Sequence, residues 1–232
     1  MAGLGLHSHY FKKRASLVNS LKEKILEKLK SGINVRGGAL LVVSGGSTPR
    51  VLFEELSKCK FDWRLVTILL ADERWISAED ANSNESLVRT TLLKNHAAAA
   101  KFVSFLDYYP DLKMTESKIA LTLGNLPSYD AVILGMGLDG HTASIFPCAN
   151  IAQLNDALTT QRPALFIDPK NANFLRFTQS ITRLRNTRYG AIYIEGAAKK
   201  VILDAAKRSP NNPNYPISYF FEESPYEIYF SE

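Results

Sequence analysis

The chain has 232 residues, of which 46% are hydrophobic and 22% charged, and this composition is ordinary for a globular protein with a sizeable core. Its net charge of +5 at pH 7 would suit a nucleic acid, an anionic membrane or a small acidic ligand. No cationic run is longer than Lys12-Lys13-Arg14 and no apolar run approaches the length of a membrane span, so we expect neither nucleic acid nor a membrane as partner.

The amino-terminal segment and the cysteines indicate a soluble, cytoplasmic protein. Residues 1–16 contain no apolar stretch of the kind that directs secretion. His7 and His9 could contact a metal, but a frayed terminus is expected there. Cys59 and Cys148 are far apart in the sequence and lack any spacing that suits zinc, so we expect reduced thiols.

Hydrophobic periodicity predicts a helix over about residues 10–30, which ends at Ser31-Gly32. Four short apolar runs without alternation follow, at 39–43, 65–70, 131–134 and 191–194. Such runs are typical of strands that are buried on both faces of a parallel sheet. Amphipathic segments separate them, at about 49–58, 83–95, 113–124 and 197–207. The alternation predicts a single three-layer, Rossmann-like α/β domain over residues 1–232, with a mostly parallel sheet.

The carboxyl-terminal half is expected to add further elements to this sheet. Residues 163–167 and the stretch near 174–181 are predicted as additional strands, antiparallel ones. The tail segments IleSerTyrPhePhe and GluIleTyrPhe predict a last helix or strand that closes the sheet.

Polar or glycine-rich turns follow each of the four buried runs directly. They are Ser44–Pro49, Asp72–Arg74, Gly135–His141, and Glu195-Gly196 with Lys199. Because ligands of open α/β sheets bind outside the carboxyl ends of the strands, we expect these residues to converge on one edge of the sheet.

The first of these turns, SGGSTPR, is predicted to bind an anion such as phosphate. Thr48 is a good helix N-cap and Pro49 a good first helical residue, while Gly45 and Gly46 permit the close approach of a ligand. The turn would present free N–H groups and a positive helix end to the anion. The alternative is a plain strand-to-helix turn, and the GKS/T ending of a P-loop is absent.

Arg74 follows the second buried run beside two carboxylates. Its guanidinium suits a phosphate or carboxylate ligand, and the alternative is a local ion pair with Asp72 or Glu73. Ser83-Asn84 is predicted to contain a helix N-cap, with a ligand contact as a further role.

The third turn, GMGLDGH, matches the G-x-G-x-x-G pattern of dinucleotide-binding sites. Such sites need a helix after the third glycine and an acidic residue at the end of the next strand, about twenty residues on. Pro147 interrupts the segment seven residues after Gly140, and no strand near residue 160 ends on Asp or Glu. We therefore expect no dinucleotide cofactor.

The same loop offers Asp139 and His141 as a catalytic pair. An imidazole can take a proton from water near neutral pH, and a nearby carboxylate can orient it; the alternative is a structural histidine that caps a turn. The sequence contains no G-x-S-x-G serine motif, no His-Glu-x-x-His motif and no other metal-ligand cluster. Water activated by a base is therefore the simplest chemistry, and no metal is expected.

Together these motifs resemble the 6-phosphogluconolactonase family of the oxidative pentose phosphate route, over about residues 40–205. The resemblance rests on SGGSTP, on ADERW followed by SN, on GMGLDGHTASIFP, on Arg176-Phe-Thr178 and on Gly196-Ala-Ala-Lys199. The chain departs from the family pattern at Ile76-Ser77, Gln179-Ser180 and Thr187.

The resemblance implies the fold of sugar-phosphate isomerases and deaminases, with neither a metal nor an organic cofactor. It makes His141 the base that activates water on a phosphorylated sugar lactone, with Asp139 and Arg74 as its catalytic neighbours. The substrate contacts that it implies are Gly45, Gly46, Ser47, Thr48, Asp72, Arg74, Gly137, Arg176 and Lys199. Which cation binds phosphate and which stabilises the oxyanion stays open, and we expect a monomer or a small homo-oligomer.

Two other functions remain as alternatives, a sugar-phosphate isomerase or deaminase and a non-catalytic sugar-phosphate-binding module. The deaminases resemble this loop but place a working glutamate five residues after the histidine, where this chain has Phe146, which cannot transfer a proton. The intact pair of Asp139 and His141 speaks against a non-catalytic module.

Overall fold

A seven-stranded parallel sheet flanked by helices forms the centre of the molecule, whose computed structural model describes residues 6–232. In spatial order its strands are β1 (Ser8–Phe11), β10 (Tyr226–Ser231), β9 (Gly190–Glu195), β6 (Ala131–Leu134), β2 (Ala39–Val43), β3 (Val66–Leu70) and β5 (Lys101–Val103). The strands predicted from the four apolar runs are β2, β3, β6 and β9, and their pairings are parallel. The predicted α/β fold with a mostly parallel sheet is therefore confirmed.

A second, antiparallel sheet lies beside the first and consists of β4 (Asp72–Arg74), β8 (Arg176–Gln179) and β7 (Ala164–Ile167). β7 and β8 confirm the two predicted antiparallel strands. The turn expected at Asp72–Arg74 is instead a strand, in which Arg74 lies opposite Arg176. Ala71 makes this possible because it links the two sheets, and its carbonyl accepts the Gln179 N–H at 2.9 Å.

The strands are connected by helices, most of which the sequence predicted. The α-helices of the described chain are α1 (Arg14–Arg36), α2 (Arg50–Ser57), α3 (Asn84–Thr91), α4 (Leu112–Gly124), α5 (Ile151–Thr159), α6 (Ile181–Arg185) and α7 (Ala197–Lys207). Short 3-10 helices span Trp63–Leu65, Asn95–Ala99 and Pro216–Phe220. The helices α5 and α6 were not predicted from the sequence, and α6 spans only five residues. The tail forms a 3-10 helix and β10, which lies inside the sheet and not at its edge.

The prediction for the amino terminus was wrong in two respects. The chain does not fray at His9, because this residue belongs to the edge strand β1, which pairs with β10. Helix α1 continues past Gly32 and ends where Gly37 adopts a φ of 74°. Gly32 serves close packing, since a Cβ there would lie 2.3 Å from Oδ1 of Asp130. The segment for which we expected no secretion signal begins with residues 1–5, and these lie outside the described residues.

The core explains why the apolar runs lack alternation. Every residue of β2 and of β6 is buried, as expected for central strands with packed elements on both faces. No helix within residues 6–232 is both long and apolar enough to cross a membrane. In the same range, no group of three or more His, Cys, Asp or Glu side chains is arranged to hold a metal ion.

Candidate active site

A cleft of about 360 Å³ opens at the carboxyl ends of β2, β6 and β9, and β4 and β8 border it. Ten of the residues predicted for catalysis or substrate contact line it: Gly45, Gly46, Ser47, Thr48, Asp72, Arg74, Gly137, His141, Arg176 and Lys199. Asn84, for which a ligand contact was a further prediction, lines it as well. Asp139 contacts the imidazole of His141. Ala172 also lines the cleft, and nothing in its residue type could have indicated this.

The loop between β2 and α2 forms one wall of the cleft. The cap predicted at Thr48 is wrong, because the first helical hydrogen bond runs from Phe53 N–H to the Pro49 carbonyl and no side chain caps the helix. The first N–H groups of α2 therefore lack a side-chain acceptor and stay available to an anion. Gly45 leaves no room for a side chain, since a Cβ would lie 1.9 Å from Asn84 Oδ1.

Glu73 anchors the strand that carries Arg74. Its buried carboxylate accepts the backbone N–H of Arg74 at 2.6 Å. Three further donors come from the start of α3: Ser83 Oγ at 3.0 Å, Asn84 N at 2.8 Å and Glu85 N at 2.7 Å. Burial raises the pKa of Glu73 to about 7, although these hydrogen bonds act in the opposite direction. Glu73 thus binds α3 and not the guanidinium of Arg74, and the predicted N-cap is confirmed at Ser83.

We expect Glu73→Ala to lower the free energy of unfolding by about 2–4 kcal/mol, because four buried donors would lose their acceptor at once. Denaturant unfolding followed by circular dichroism measures this change. Glu79→Ala is the matched control, since Glu79 is an exposed carboxylate on the same connection to α3. Equal stabilities of the two variants would contradict the anchoring role.

The loop after β6 fixes the imidazole of His141 by a short contact with Asp139. Nδ1 lies 2.5 Å from Asp139 Oδ1, which also accepts the backbone N–H of His141 at 3.2 Å. Burial alone would raise the pKa of Asp139, but the hydrogen bond and charge of His141 outweigh it, so the pKa lies below its usual value. Because Nδ1 is occupied, Nε2 is the ring nitrogen left to act on a ligand.

The glycines of this loop provide space for His141. A Cβ at Gly137 would lie 2.2 Å from imidazole Cε1 and Nδ1, so the ring packs directly on the backbone. Gly140 has a φ of 80°, and a Cβ there would lie 2.8 Å from the ring of Tyr215. The next helix after the loop begins only at Ile151. The G-x-G-x-x-G match thus reflects turn geometry and side-chain packing.

We expect Gly137→Ala to lower the rate of any reaction that uses the His141 imidazole by about 100-fold, because the new methyl group would displace the ring by roughly 1 Å or more. Steady-state kinetics and a crystal structure of the variant test this expectation together. Gly124→Ala is the control, because that glycine ends α4 and has open space around it. Full activity with an unmoved imidazole would contradict the steric argument.

Arg176 reaches the cleft from β8, and both its guanidinium and the imidazole of His141 pack against the ring of Phe146. Its guanidinium lies 5.6 Å from the centroid of the Phe146 ring, and the ring centroids of Phe146 and His141 are 4.2 Å apart. Burial lowers the pKa of Arg176, and the nearby carboxylate of Asp72 opposes this. Asp72 is itself held by the hydroxyl of Ser144, which donates to it at 2.5 Å.

Lys199 enters the cleft from the first turn of α7, after Gly196 at a φ of 92°. Burial lowers the pKa of Lys199, and the charge of Glu195 opposes the effect. Across the cleft, the Nε atoms of Arg74 and Arg176 are buried without a hydrogen-bond partner in the described part of the chain. Each guanidinium donates through another nitrogen to a loop carbonyl, Arg74 to Asn82 and Arg176 to Asn173, so Nε is the buried donor for which the fold supplies no acceptor.

At two of the positions where the sequence departs from the family pattern, Gln179-Ser180 and Thr187, the polar side chains form hydrogen bonds within the fold. The buried amide of Gln179 accepts from Tyr129 Oη at 2.7 Å and donates to the Leu70 carbonyl at 2.7 Å. Ser180 caps α6, and the hydroxyl of Thr187 donates to the Tyr129 carbonyl at 3.2 Å. These replacements are therefore compatible with the packing near β8.

The parallel sheet, the cleft at its carboxyl edge lined by three cationic side chains, and the carboxylate–imidazole pair are together the features of an α/β enzyme. The family model of glucosamine-6-phosphate isomerases/6-phosphogluconolactonase matches residues 12–228. The chain belongs to this family.

Individual relatives extend the match over nearly the whole chain. A 6-phosphogluconolactonase of Rhizobium meliloti is 36% identical over 98% of this chain and 100% of its own length. The crystal structure of a 6-phosphogluconolactonase from Shewanella baltica superposes with a TM-score of 0.94 at 37% identity, covering 99% of each chain. A monomeric glucosamine-6-phosphate deaminase superposes with a TM-score of 0.82 at 13% identity, over 98% of each chain, and so shares the fold.

Proposed function

We propose that this protein hydrolyses 6-phospho-D-glucono-1,5-lactone to 6-phospho-D-gluconate, the lactone-hydrolysis step of the oxidative pentose phosphate pathway. The observation that carries the proposal is the contact of 2.5 Å between His141 and Asp139 in a cleft that also contains Arg74, Arg176 and Lys199. Relatives that match almost the entire chain are 6-phosphogluconolactonases, which supports the same reaction.

Substrate binding would rest on the cations and on the loop after β2. The phosphate dianion would be held by cationic side chains and by the N–H groups at the start of α2, which places the lactone carbonyl near His141. Such positioning converts an encounter with water into a reaction within one complex.

His141 would then act first as a base and afterwards as an acid. Nε2 takes a proton from water as the water oxygen adds to the lactone carbonyl carbon, and a cation or N–H group stabilises the resulting oxyanion. When the intermediate collapses, the bond between this carbon and the ring oxygen breaks, and the imidazolium returns the proton to the leaving oxygen. Asp139 would favour the imidazolium through its contact with Nδ1.

Stopped-flow measurement of acid release from freshly prepared 6-phosphogluconolactone tests the proposal against the spontaneous background. We expect a rate proportional to enzyme concentration and well above that background. Release of ammonia from glucosamine 6-phosphate would indicate a deaminase instead. Binding of 6-phosphogluconate without any turnover would indicate a non-catalytic binding module.

A further inference from the structure

Arg14, the first residue of α1, contacts the loop that forms one wall of the cleft and also the end of β9, just before the turn that leads to Lys199. Its Nη2 donates to the backbone carbonyl of Thr48 at 3.1 Å. Its Nε lies 2.9 Å from Oε1 of Glu195. Thr48 belongs to the loop after β2, and Glu195 is the last residue of β9. One guanidinium therefore connects two segments that are distant in sequence.

These two contacts lie on either side of the end of β6, the strand that leads into the loop Gly135–His141. The order of neighbouring strands is β9, β6, β2, so a link from Glu195 to Thr48 passes over the end of β6. The same oxygen, Oε1 of Glu195, also accepts a hydrogen bond from the hydroxyl of Tyr193, whose side chain is buried. Tyr193 and Arg14 thus hold this carboxylate together, through one of its oxygens.

The carboxylate of Glu195 is an electrostatic neighbour of Lys199, four residues further along the chain. With Arg14 in place, the negative charge of Glu195 has a cationic partner of its own. Without Arg14, this charge would be free to attract the ammonium of Lys199 and to compete with an anionic ligand for it. The loop at Thr48 would at the same time lose a donor that holds its backbone.

We propose that Arg14 is a positioning residue for the phosphate-binding half of the cleft, acting through Thr48 and Glu195. The inference rests on the proposed function, because it assumes that the Lys199 side of the cleft receives the phosphate group. Arg14 sets the affinity for phosphorylated ligands and leaves proton transfer at His141 unchanged.

We expect Arg14→Ala to raise KM for the lactone by about 3- to 10-fold, the effect of one half-exposed ion pair and one hydrogen bond, with kcat within about twofold. Arg14→Lys should fall between wild type and Arg14→Ala, since one ammonium keeps the charge but cannot reach both partners as a guanidinium does. Arg64→Ala is the matched control, because Arg64 is an exposed arginine with an acidic neighbour, Asp62 at 3.7 Å. It should behave as wild type.

Arg14→Ala combined with Glu195→Gln tests whether the change in KM arises through the carboxylate of Glu195. Without the carboxylate there is no competitor for Lys199 and only the contact with Thr48 remains to be lost, so Arg14→Ala should then raise KM by a clearly smaller factor than it does with Glu195 present. An equal effect in both backgrounds would overturn the proposed route. A loss of kcat that follows a loss of thermal stability, with KM unchanged, would overturn the positioning role.

Titration calorimetry with 6-phosphogluconate separates this inference from the proposed function. If the wild-type protein binds the product but does not hydrolyse the lactone, the proposed activity fails while the effect of Arg14→Ala on binding can still be measured. If the wild-type protein hydrolyses the lactone and Arg14→Ala binds 6-phosphogluconate as tightly as wild type, the positioning role alone is refuted.

Discussion

His141→Asn is expected to lower kcat for lactone hydrolysis by about 10²- to 10⁴-fold, the usual contribution of a general base, and to leave KM nearly unchanged. Asparagine is close to the imidazole in size but cannot take a proton from water. The prediction depends on the geometry in which Asp139 occupies Nδ1 and leaves Nε2 as the basic nitrogen. Stopped-flow kinetics on fresh substrate, corrected for spontaneous hydrolysis, measure both constants.

His96→Asn is the control for this experiment, because His96 is an exposed histidine in the short 3-10 helix Asn95–Ala99, and it should retain full activity. Turnover close to wild type in His141→Asn would remove His141 from the mechanism. A large rise in KM with unchanged kcat would instead assign His141 to substrate binding.

Lys199→Ala is expected to raise KM for the phosphorylated lactone by about 10- to 100-fold, since a hydrogen bond between charged groups in a partly buried site contributes roughly 1.5–3 kcal/mol. The affinity for 6-phosphogluconate should fall by a similar factor, and calorimetry measures it without turnover. Lys113→Ala, an exposed lysine on α4, is the control. Wild-type affinity in Lys199→Ala would place the phosphate site elsewhere in the cleft.

The pH dependence of binding follows from the same residue. Burial lowers the pKa of Lys199, so its ammonium loses the proton at a lower pH than an exposed lysine does. Affinity for phosphorylated ligands should therefore decline as the pH rises through that lowered pKa. Lys199→Arg keeps its charge throughout this range and should abolish the decline.

Much of the fold follows from local sequence patterns. The central strands β2, β3, β6 and β9 are short apolar runs, because each is covered on both faces and needs no polar side. The strand β1 could not be predicted in this way. Three of its residues are half-buried and Tyr10 is exposed, and the strand pairs with β10 at the other end of the chain, more than two hundred residues away.

The candidate site, like the fold, was predictable where its residues follow buried strands. Gly45, Arg74, His141 and Lys199 were identified because they follow buried strands, and the parallel sheet brings them to one edge. The contact of Arg14 with this edge has no such signal, since helix α1 precedes all four of those strands.

The sequence by itself determined the buried strands, the glycine-rich turns and the residue types gathered at the cleft, since these depend on local hydrophobicity and backbone freedom. Only the tertiary structure decided that Asp72–Arg74 forms a strand facing Arg176, that α2 starts without a side-chain cap, and that Arg14 joins Thr48 to Glu195. Those features arise from contacts between segments that are remote along the chain, and such contacts are fixed by packing and hydrogen-bond satisfaction across the whole fold.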